Sequence, residues 1–467
     1  MSTEQMKKSG YLRIFISYYR PHWKIFALDM ACALCISLID LAFPFVSRFA
    51  MSELLPGKLF QVFFIVMAAM AAAYVLKSVF YYTVAFWGHL LGVRMEADIR
   101  RDLFSHMQDL SFSFYDKHRT GQLMSRVTGD LFEITELAHH GPEDLFISTV
   151  TLVGAFLVML SIRWELALVV FSVIPLFLIF TVITRRKMMA ASTEVKVKLA
   201  GINGEVESSI SGMRTAKAFA NEAAEQEKFR QANDLFRGAK RGYYKAMATY
   251  QAGLEFAMGI MSVLVIAFGG FLIMEGKMDL IDLTTFTLYV TTFITPIRKL
   301  SAFVEQFMQG MAGFQRFVEL MRVDPDIQDA PGAQEVREVK GDIWVDDVTF
   351  RYDPDSEPVL EHVSLHVKPG ETIAVVGPSG GGKSTLCQLI PRFYDVTEGR
   401  ILLDGQDVRD LQQHSLRAQI GIVQQDVFLF AGTIYDNIRY GRPDATEAEI
   451  FEAAKRAEVY DDILEMS

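Results

Sequence analysis

The stretch VVGPSGGGKSTLCQLI, residues 375–390, carries a spacing that can do chemistry: Gly377, Gly382, Lys383 and Ser384 sit at the fixed positions of G-x-x-x-x-G-K-[ST]. Backbone N–H groups converge on phosphate oxygens only if the chain curls in ways that most side chains forbid, and glycine supplies that freedom. Gly377, Pro378, Ser379, Gly380, Gly381, Gly382, Lys383, Ser384 and Thr385 are therefore the candidate phosphate-binding residues. In this arrangement Lys383 reaches the terminal phosphates, the Ser384 hydroxyl ligates Mg²⁺, and a helix N-terminus adds partial positive charge. The spacing alone does not separate a transporter motor from a kinase or a GTPase.

Such a loop must be held between a strand and a helix. The sequence predicts a buried strand over 372–376 and a helix from about Lys383, with Leu386, Leu389 and Ile390 on its apolar side. Further short β-rich runs, IWVDDVTFRY, VSLHV, RILLDG and IGIVQQ, surround it, and a helical pattern occupies 446–466. Residues 341–467 thus read as a mixed α/β domain, preceded by a polar, Pro- and Gly-containing linker over 323–340.

The preceding three hundred residues have a different character. Hydrophobic residues make up 51% of the chain, and the mean hydropathy is +0.21. Six apolar stretches, at about 25–50, 60–88, 145–162, 165–184, 250–274 and 280–299, can each cross a bilayer as a helix. Helical periodicity persists through the two charged connections, 89–144 and 185–249, so the spanning helices are expected to continue into water as long arms. Residues 1–24 read as a short interfacial helix ended by Pro21, and 25–322 as the membrane domain.

Charge divides in the same place. Residues 1–322 hold 33 Lys and Arg against 28 Asp and Glu, whereas 323–467 hold 13 against 28. Lys and Arg cluster at the N-terminus and on the long arms, which predicts that these, with the α/β domain, face the cytoplasm. No basic stripe with interleaved aromatics is present, so a nucleic-acid partner is not expected. Cys32 and Cys35 form a C-x-x-C within MACALCISLI, an apolar run without further ligands, and read as buried thiols on a membrane helix. The pair His139–His140 has no partner at metal-ligand spacing and reads as structural.

With both halves in view, the chain resembles the ATP-binding cassette (ABC) exporters of half-transporter form, in which six spans precede one nucleotide-binding domain. VTFRYDP resembles the family's adenine-stacking loop, which implies that Tyr352 lies against the base. IGIVQQDVFLFAGTIYDNI resembles the glutamine loop, which implies that Gln425 contacts Mg²⁺ and the attacking water. SFSFYDKHRTGQLMSRVTGD (111–130) resembles the first cytoplasmic coupling segment, and GINGEVESSISGMRTAKAFANE (201–222) the second arm. The resemblance implies an ATP- and Mg²⁺-dependent pump subunit, multi-pass in a bacterial plasma membrane. It implies work as a homodimer, or as a heterodimer with another half-transporter, on a small hydrophobic or amphipathic substrate. The fold expected is a six-helix all-α membrane domain followed by an α/β P-loop domain that is C-terminally incomplete. The family's signature loop, catalytic Glu and switch His follow the glutamine loop, and residues 426–467 contain no such segments. The alternative reading is therefore a C-terminally shortened, non-hydrolysing membrane protein that acts only with an intact partner or not at all.

Ionisable residues within spans are candidates for the cargo path. Asp29 and Asp40 lie in the first span, eleven residues apart and hence near one helical face, and Glu255 lies in the fifth. Either the three line a cavity for cationic or amphipathic cargo, or Asp29 sits at headgroup depth while the others pair with Lys or Arg of neighbouring helices.

Overall fold

A helix whose side chains are apolar all round is stable only where apolar surroundings cover it, and the first 322 residues supply six such runs. In the computed structural model, which describes residues 3–423 and 427–466, these runs form six long helical segments: α1 (Tyr11–Leu54), α2 (Phe60–Asp109), α3 (Thr120–Ile162), α4 (Trp164–Ser211), α5 (Glu222–Met274) and α6 (Leu280–Met321). Each is longer than a bilayer needs, and in α2, α3, α4 and α5 the extra length falls in the arms that the periodicity predicted. The α3–α4 connection is a single residue, Arg163, with extended backbone (φ −152°, ψ 104°). Pro44, Pro175 and Pro296 lie inside α1, α4 and α6, as does Pro142 inside α3. Three short stretches widen to π turns, among them Val84–Gly88 within α2.

This unit, Met1–Leu110 with Phe114–Pro325, has two main apolar cores. One gathers Phe15, Met95, Leu103, Ile134, Phe314 and Phe317 from the N-terminal segment, α2, α3 and α6. The other gathers Leu166, Val170, Val265, Phe286, Tyr289 and Phe293 from α4, α5 and α6. Tyr289 is fully buried, and its hydroxyl donates to the carbonyl of Leu41 at 2.8 Å, so the core's largest side chain is also polar-satisfied. Arg48 and Arg163 both approach the buried Asp282 carboxylate, at 2.7 and 3.8 Å, tying α1 and the α3–α4 turn to the start of α6.

The second unit, Ser111–Ser113 with Asp326–Ser467, is built on a four-stranded antiparallel sheet in the order β2-β1-β3-β4. Its strands are β1 (Ile343–Phe350), β2 (Leu360–Val367), β3 (Glu398–Leu403) and β4 (Gln406–Asp407). Val345, Val348, Phe350, Ile401 and Leu403 bury against Leu386 and Leu389 of α7 (Lys383–Leu389). The unit continues through α8 (Gln413–Ala418), α9 (Ile434–Arg439), α10 (Glu447–Arg456) and α11 (Tyr460–Glu465). Thr433 and Thr446 open α9 and α10 with reciprocal capping boxes to Asp436 and Glu449. Within this unit the Phe112 ring stacks on Phe393, centroids 4.1 Å apart.

Two expectations change here. Residues 372–376, predicted as a buried strand, run without ladder pairing and are exposed, Val376 by 87%. Residues 420–423 of the IGIVQQ run likewise form no strand, and the remainder of that run lies outside the described residues. A strand exists through its neighbours, and among the described residues no strand lies beside either segment to accept its hydrogen bonds. The linker is also less free than its composition implied. Gln334 exchanges backbone hydrogen bonds with Asp410 and Gln412, both at 2.9 Å. Asp404 accepts from the amides of Lys340 (2.7 Å) and Asp342 (2.9 Å). Burial raises the Asp404 carboxyl, but these donors lower it further, so it titrates below the usual carboxylate range. That tether contributes stability near neutral pH and loses it as pH falls through the carboxylate range.

Candidate functional site

The phosphate loop is shaped by three glycines. Gly380 and Gly382 adopt left-handed backbone, φ +80° and +79°, which an L side chain resists. Gly382 also has no room for a side chain: a Cβ there would lie 2.6 Å from Leu360 Cδ2 and 2.9 Å from the Val359 carbonyl oxygen. Gly381 closes a tight turn, its N–H donating to the Pro378 carbonyl at 3.1 Å. The loop ends at α7, whose first-turn amides have no intrahelical acceptor, the feature by which a helix start binds anions.

Lys383, at the first position of α7, folds its side chain back over the loop. Its Nζ donates to the carbonyls of Gly377 (3.0 Å) and Pro378 (2.7 Å). Next to it the Ser384 side chain is exposed, while Thr385 is buried. Leu386 and Leu389 anchor the helix in the sheet's core, so the loop is held from its C-terminal side even though residues 372–376 are unpaired.

Tyr352 stands at the edge of this loop. Its hydroxyl lies 3.0 Å from Thr385 Oγ1 and donates to Gln388 Oε1 at 3.4 Å. Its ring meets Phe350 and Tyr394 edge-on, with centroids 4.9 and 5.3 Å away, and remains 43% exposed. The T-shaped contacts fix the ring's orientation and leave it partly exposed, as a stacking platform must be. Sequence spacing gave no sign of the tie between Tyr352 and Thr385, since 33 residues separate them. Gln425 lies outside the described residues.

The three intramembrane carboxylates do not share surroundings. Asp40 pairs with Lys77 of α2. Glu255 pairs with Arg298 of α6 at 3.2 Å, both largely exposed. Asp29 is fully buried, and neither of its oxygens has a hydrogen-bond partner. Its neighbours include His139, which the fold also brings beside His89. The histidine pair, expected to lack spaced partners, has them both one helical turn away, His139 with Glu143 at 3.7 Å and His140 with Glu136 at 3.8 Å, and from α1 and α2, where Asp29 and His89 lie far off in sequence.

Comparison with known proteins follows the two-part architecture. A family model described as the ABC transporter transmembrane region matches residues 26–297, and one described as ABC transporter matches residues 360–467. The uncharacterized ABC transporter ATP-binding protein YwjA of Bacillus subtilis (strain 168) is 43% identical over 446 residues, covering 96% of this chain and 77% of the relative. YgaD of the same organism, provisionally named a multidrug export ATP-binding/permease protein, is 32% identical over 461 residues, 97% of this chain and 80% of the relative. The ATP-dependent lipid A-core flippase of Syntrophus aciditrophicus (strain SB) is 33% identical over 447 residues, 96% of this chain and 74% of the relative.

Proposed function

The chain belongs to the ABC transporter family, and from that premise we propose that it is one half of an exporter in which nucleotide held at Gly377–Thr385 drives six membrane helices to move a hydrophobic or amphipathic substrate. The observation that carries this reading is the joining, in one polypeptide, of six long apolar helices to a phosphate loop with its left-handed glycines. The names of relatives that export drugs or flip a lipid support the substrate class.

Each site residue has a physical part. The loop amides and Lys383 bind and orient the polyphosphate, and displacement of Lys383 from its two carbonyls lets its charge meet the terminal phosphates. Ser384, exposed at the start of α7, fits as a Mg²⁺ ligand by the hardness of its oxygen, and Gln425 is proposed as a second contact to the ion. A bound Mg²⁺ supplies charge neutralisation on the phosphates. Tyr352 offers its open face to the adenine ring. Two such subunits, identical or related, complete the nucleotide sandwich.

Replacing Tyr352 by Ala is expected to weaken ATP binding by about 5- to 150-fold, the cost of a base-stacking ring at about 1–3 kcal/mol, while Tyr352→Phe, which keeps the ring and loses only the hydroxyl contacts to Thr385 and Gln388, stays within about 5-fold. Fluorescent-nucleotide titration of the purified protein distinguishes the two variants.

For the cargo, Glu255 follows Leu254, which with Phe177, Met258, Met261, Phe293 and Ile297 lines an apolar gap of only about 10 Å³, too small to hold a substrate unless the helices part. The flexible side chains of Met258 and Met261 can reshape that gap, and the Glu255–Arg298 pair, being exposed, can exchange partners. Glu255→Gln and Asp40→Asn are expected to lower uptake of cationic dyes several-fold more than that of neutral ones. Unchanged cation preference would remove both residues from the cargo path.

The decisive test is ATP-dependent accumulation of lipophilic dyes or labelled lipid in inverted membrane vesicles carrying the protein. Uptake should require ATP and vanish with Lys383→Ala. Uptake indifferent to that substitution would overturn the assignment.

A further inference from the structure

Four helices meet at a cluster of ionisable side chains that neither the phosphate loop nor the cargo path uses. Asp29 comes from α1, His89 from α2, His139, His140, Glu143 and Asp144 from α3, and Lys299 from α6. Asp29, His139 and Glu143 are 0%, 4% and 6% exposed. One ligand atom from each of these three lies within 4.8 Å of the other two, and the same is true of His89, His139 and His140.

The cluster is underfilled in two respects. Both Asp29 carboxylate oxygens and His139 Nδ1 are buried without any hydrogen-bond partner among the described residues, an arrangement that costs free energy unless something else binds them. Charge is also unbalanced. Glu143 and Asp144 share one ammonium, Lys299 Nζ, at 3.9 and 2.5 Å, and Asp29 has no ion-pair partner among the described residues. In the deprotonated state that binds a metal, with neutral imidazoles, the three carboxylates and Lys299 sum to two negative charges, which one divalent cation cancels.

We propose that Asp29, His139 and Glu143 form a binding site for a divalent transition-metal ion of the zinc class, with His89 and His140 beside His139. One imidazole and two carboxylates are a donor set suited to such ions. Ligands of a tetrahedral zinc sit about 2.0–2.2 Å from the metal, so the side chains need only contract. His139 Nε2 already lies 3.7 Å from Glu143 Oε2. His89 Nδ1 donates to the Ala85 carbonyl at 2.6 Å, which leaves its Nε2 lone pair free for a metal and fixes the ring as outer-shell bonds do. The local backbone serves the site. Val84–Gly88 is a π turn, a feature that recurs at functional sites. A Cβ on Gly88 would fall 2.2 Å from His139 Cε1, 2.6 Å from Nδ1 and 3.2 Å from Asp29 Oδ1. Occupied, the site cross-links α1 to α3, and through His89 to α2. It stands independently of the proposed export function.

The test uses the whole chain in detergent, purified without a histidine tag, stripped with chelator and titrated with Co²⁺. Saturable uptake of one Co²⁺ per chain, with a visible d–d band displaced by Zn²⁺, is the expected result. His139→Gln and the pair Asp29→Asn with Glu143→Gln should each weaken uptake at least about 10-fold, and His414→Gln, in the second unit, should not. Absence of saturable uptake, or uptake undiminished in His139→Gln, overturns the proposal. X-ray absorption of the Zn²⁺-loaded wild type reads the ligands directly and does not depend on how variants fold. Nitrogen and oxygen ligands alone support the site, whereas a sulfur ligand moves the metal to Cys32 and Cys35 and sinks it.

Discussion

Lys383→Ala should lower ATP binding by at least about 10-fold and abolish nucleotide-driven transport while leaving the fold intact. The loss in binding follows from one charged hydrogen-bond donor to phosphate, worth about 1.5–3 kcal/mol, and each 1.4 kcal/mol is a factor of about ten. Transport should suffer more, because the same ammonium also neutralises charge that develops on the transferred phosphoryl group. The fold should survive because, among the described residues, Lys383 Nζ bonds only to carbonyls of its own loop, Gly377 and Pro378, whereas α7 is anchored by Leu386 and Leu389. Photo-crosslinking with an azido-ATP, quantified beside a thermal melt, separates the two effects. Labelling of Lys383→Ala at wild-type strength would mean that the loop does not hold phosphate as its geometry suggests.

A larger structural effect is expected at Gly399. This residue opens β3 with φ +78°, and a Cβ there would lie 2.2 Å from the Asp347 carbonyl oxygen and 2.5 Å from that of Asp346. The obstruction is backbone, so no rotamer change relieves it. It exists because the β1–β3 register slips between Asp346 and Thr349, pushing the bulged segment of β1 over the glycine. Left-handed strain costs about 1–2 kcal/mol and overpacking about 1–3 kcal/mol, so Gly399→Ala should destabilise the second unit by about 2–5 kcal/mol. Gly405, with φ +82° but nothing within 4 Å of its Cβ position, provides the control. Gly405→Ala should cost only the strain term. Hydrogen exchange of residues 343–403 in the intact chain reads both, with much faster exchange expected in Gly399→Ala than in Gly405→Ala. Equal protection in the two variants would show that the bulge yields more easily than its carbonyls suggest.

Much of the architecture was legible because it rests on local rules. Six apolar runs of spanning length became six helices, and the 3.6-residue periodicity of the arms marked helices that extend beyond the membrane. G-x-x-x-x-G-K-S located the phosphate loop because glycine requirements are conformational and visible residue by residue. Strand prediction failed where it depended on non-local partners. TIAVV and IGIV have strand composition, yet their hydrogen-bonding neighbours are not a property of those segments.

Sequence by itself determined the two-part plan, the long apolar helices and the place of the glycine-rich turn before α7, since each is written in spacing along one segment. Only the tertiary structure decided that Tyr352 is tied to Thr385, that Asp40 and Glu255 have cationic partners on adjacent helices, and that Asp29 shares a buried cluster with His139 and Glu143. Those juxtapositions join residues far apart in the chain, and the packing of α1, α2, α3 and α6 sets the distances and desolvation that govern their chemistry.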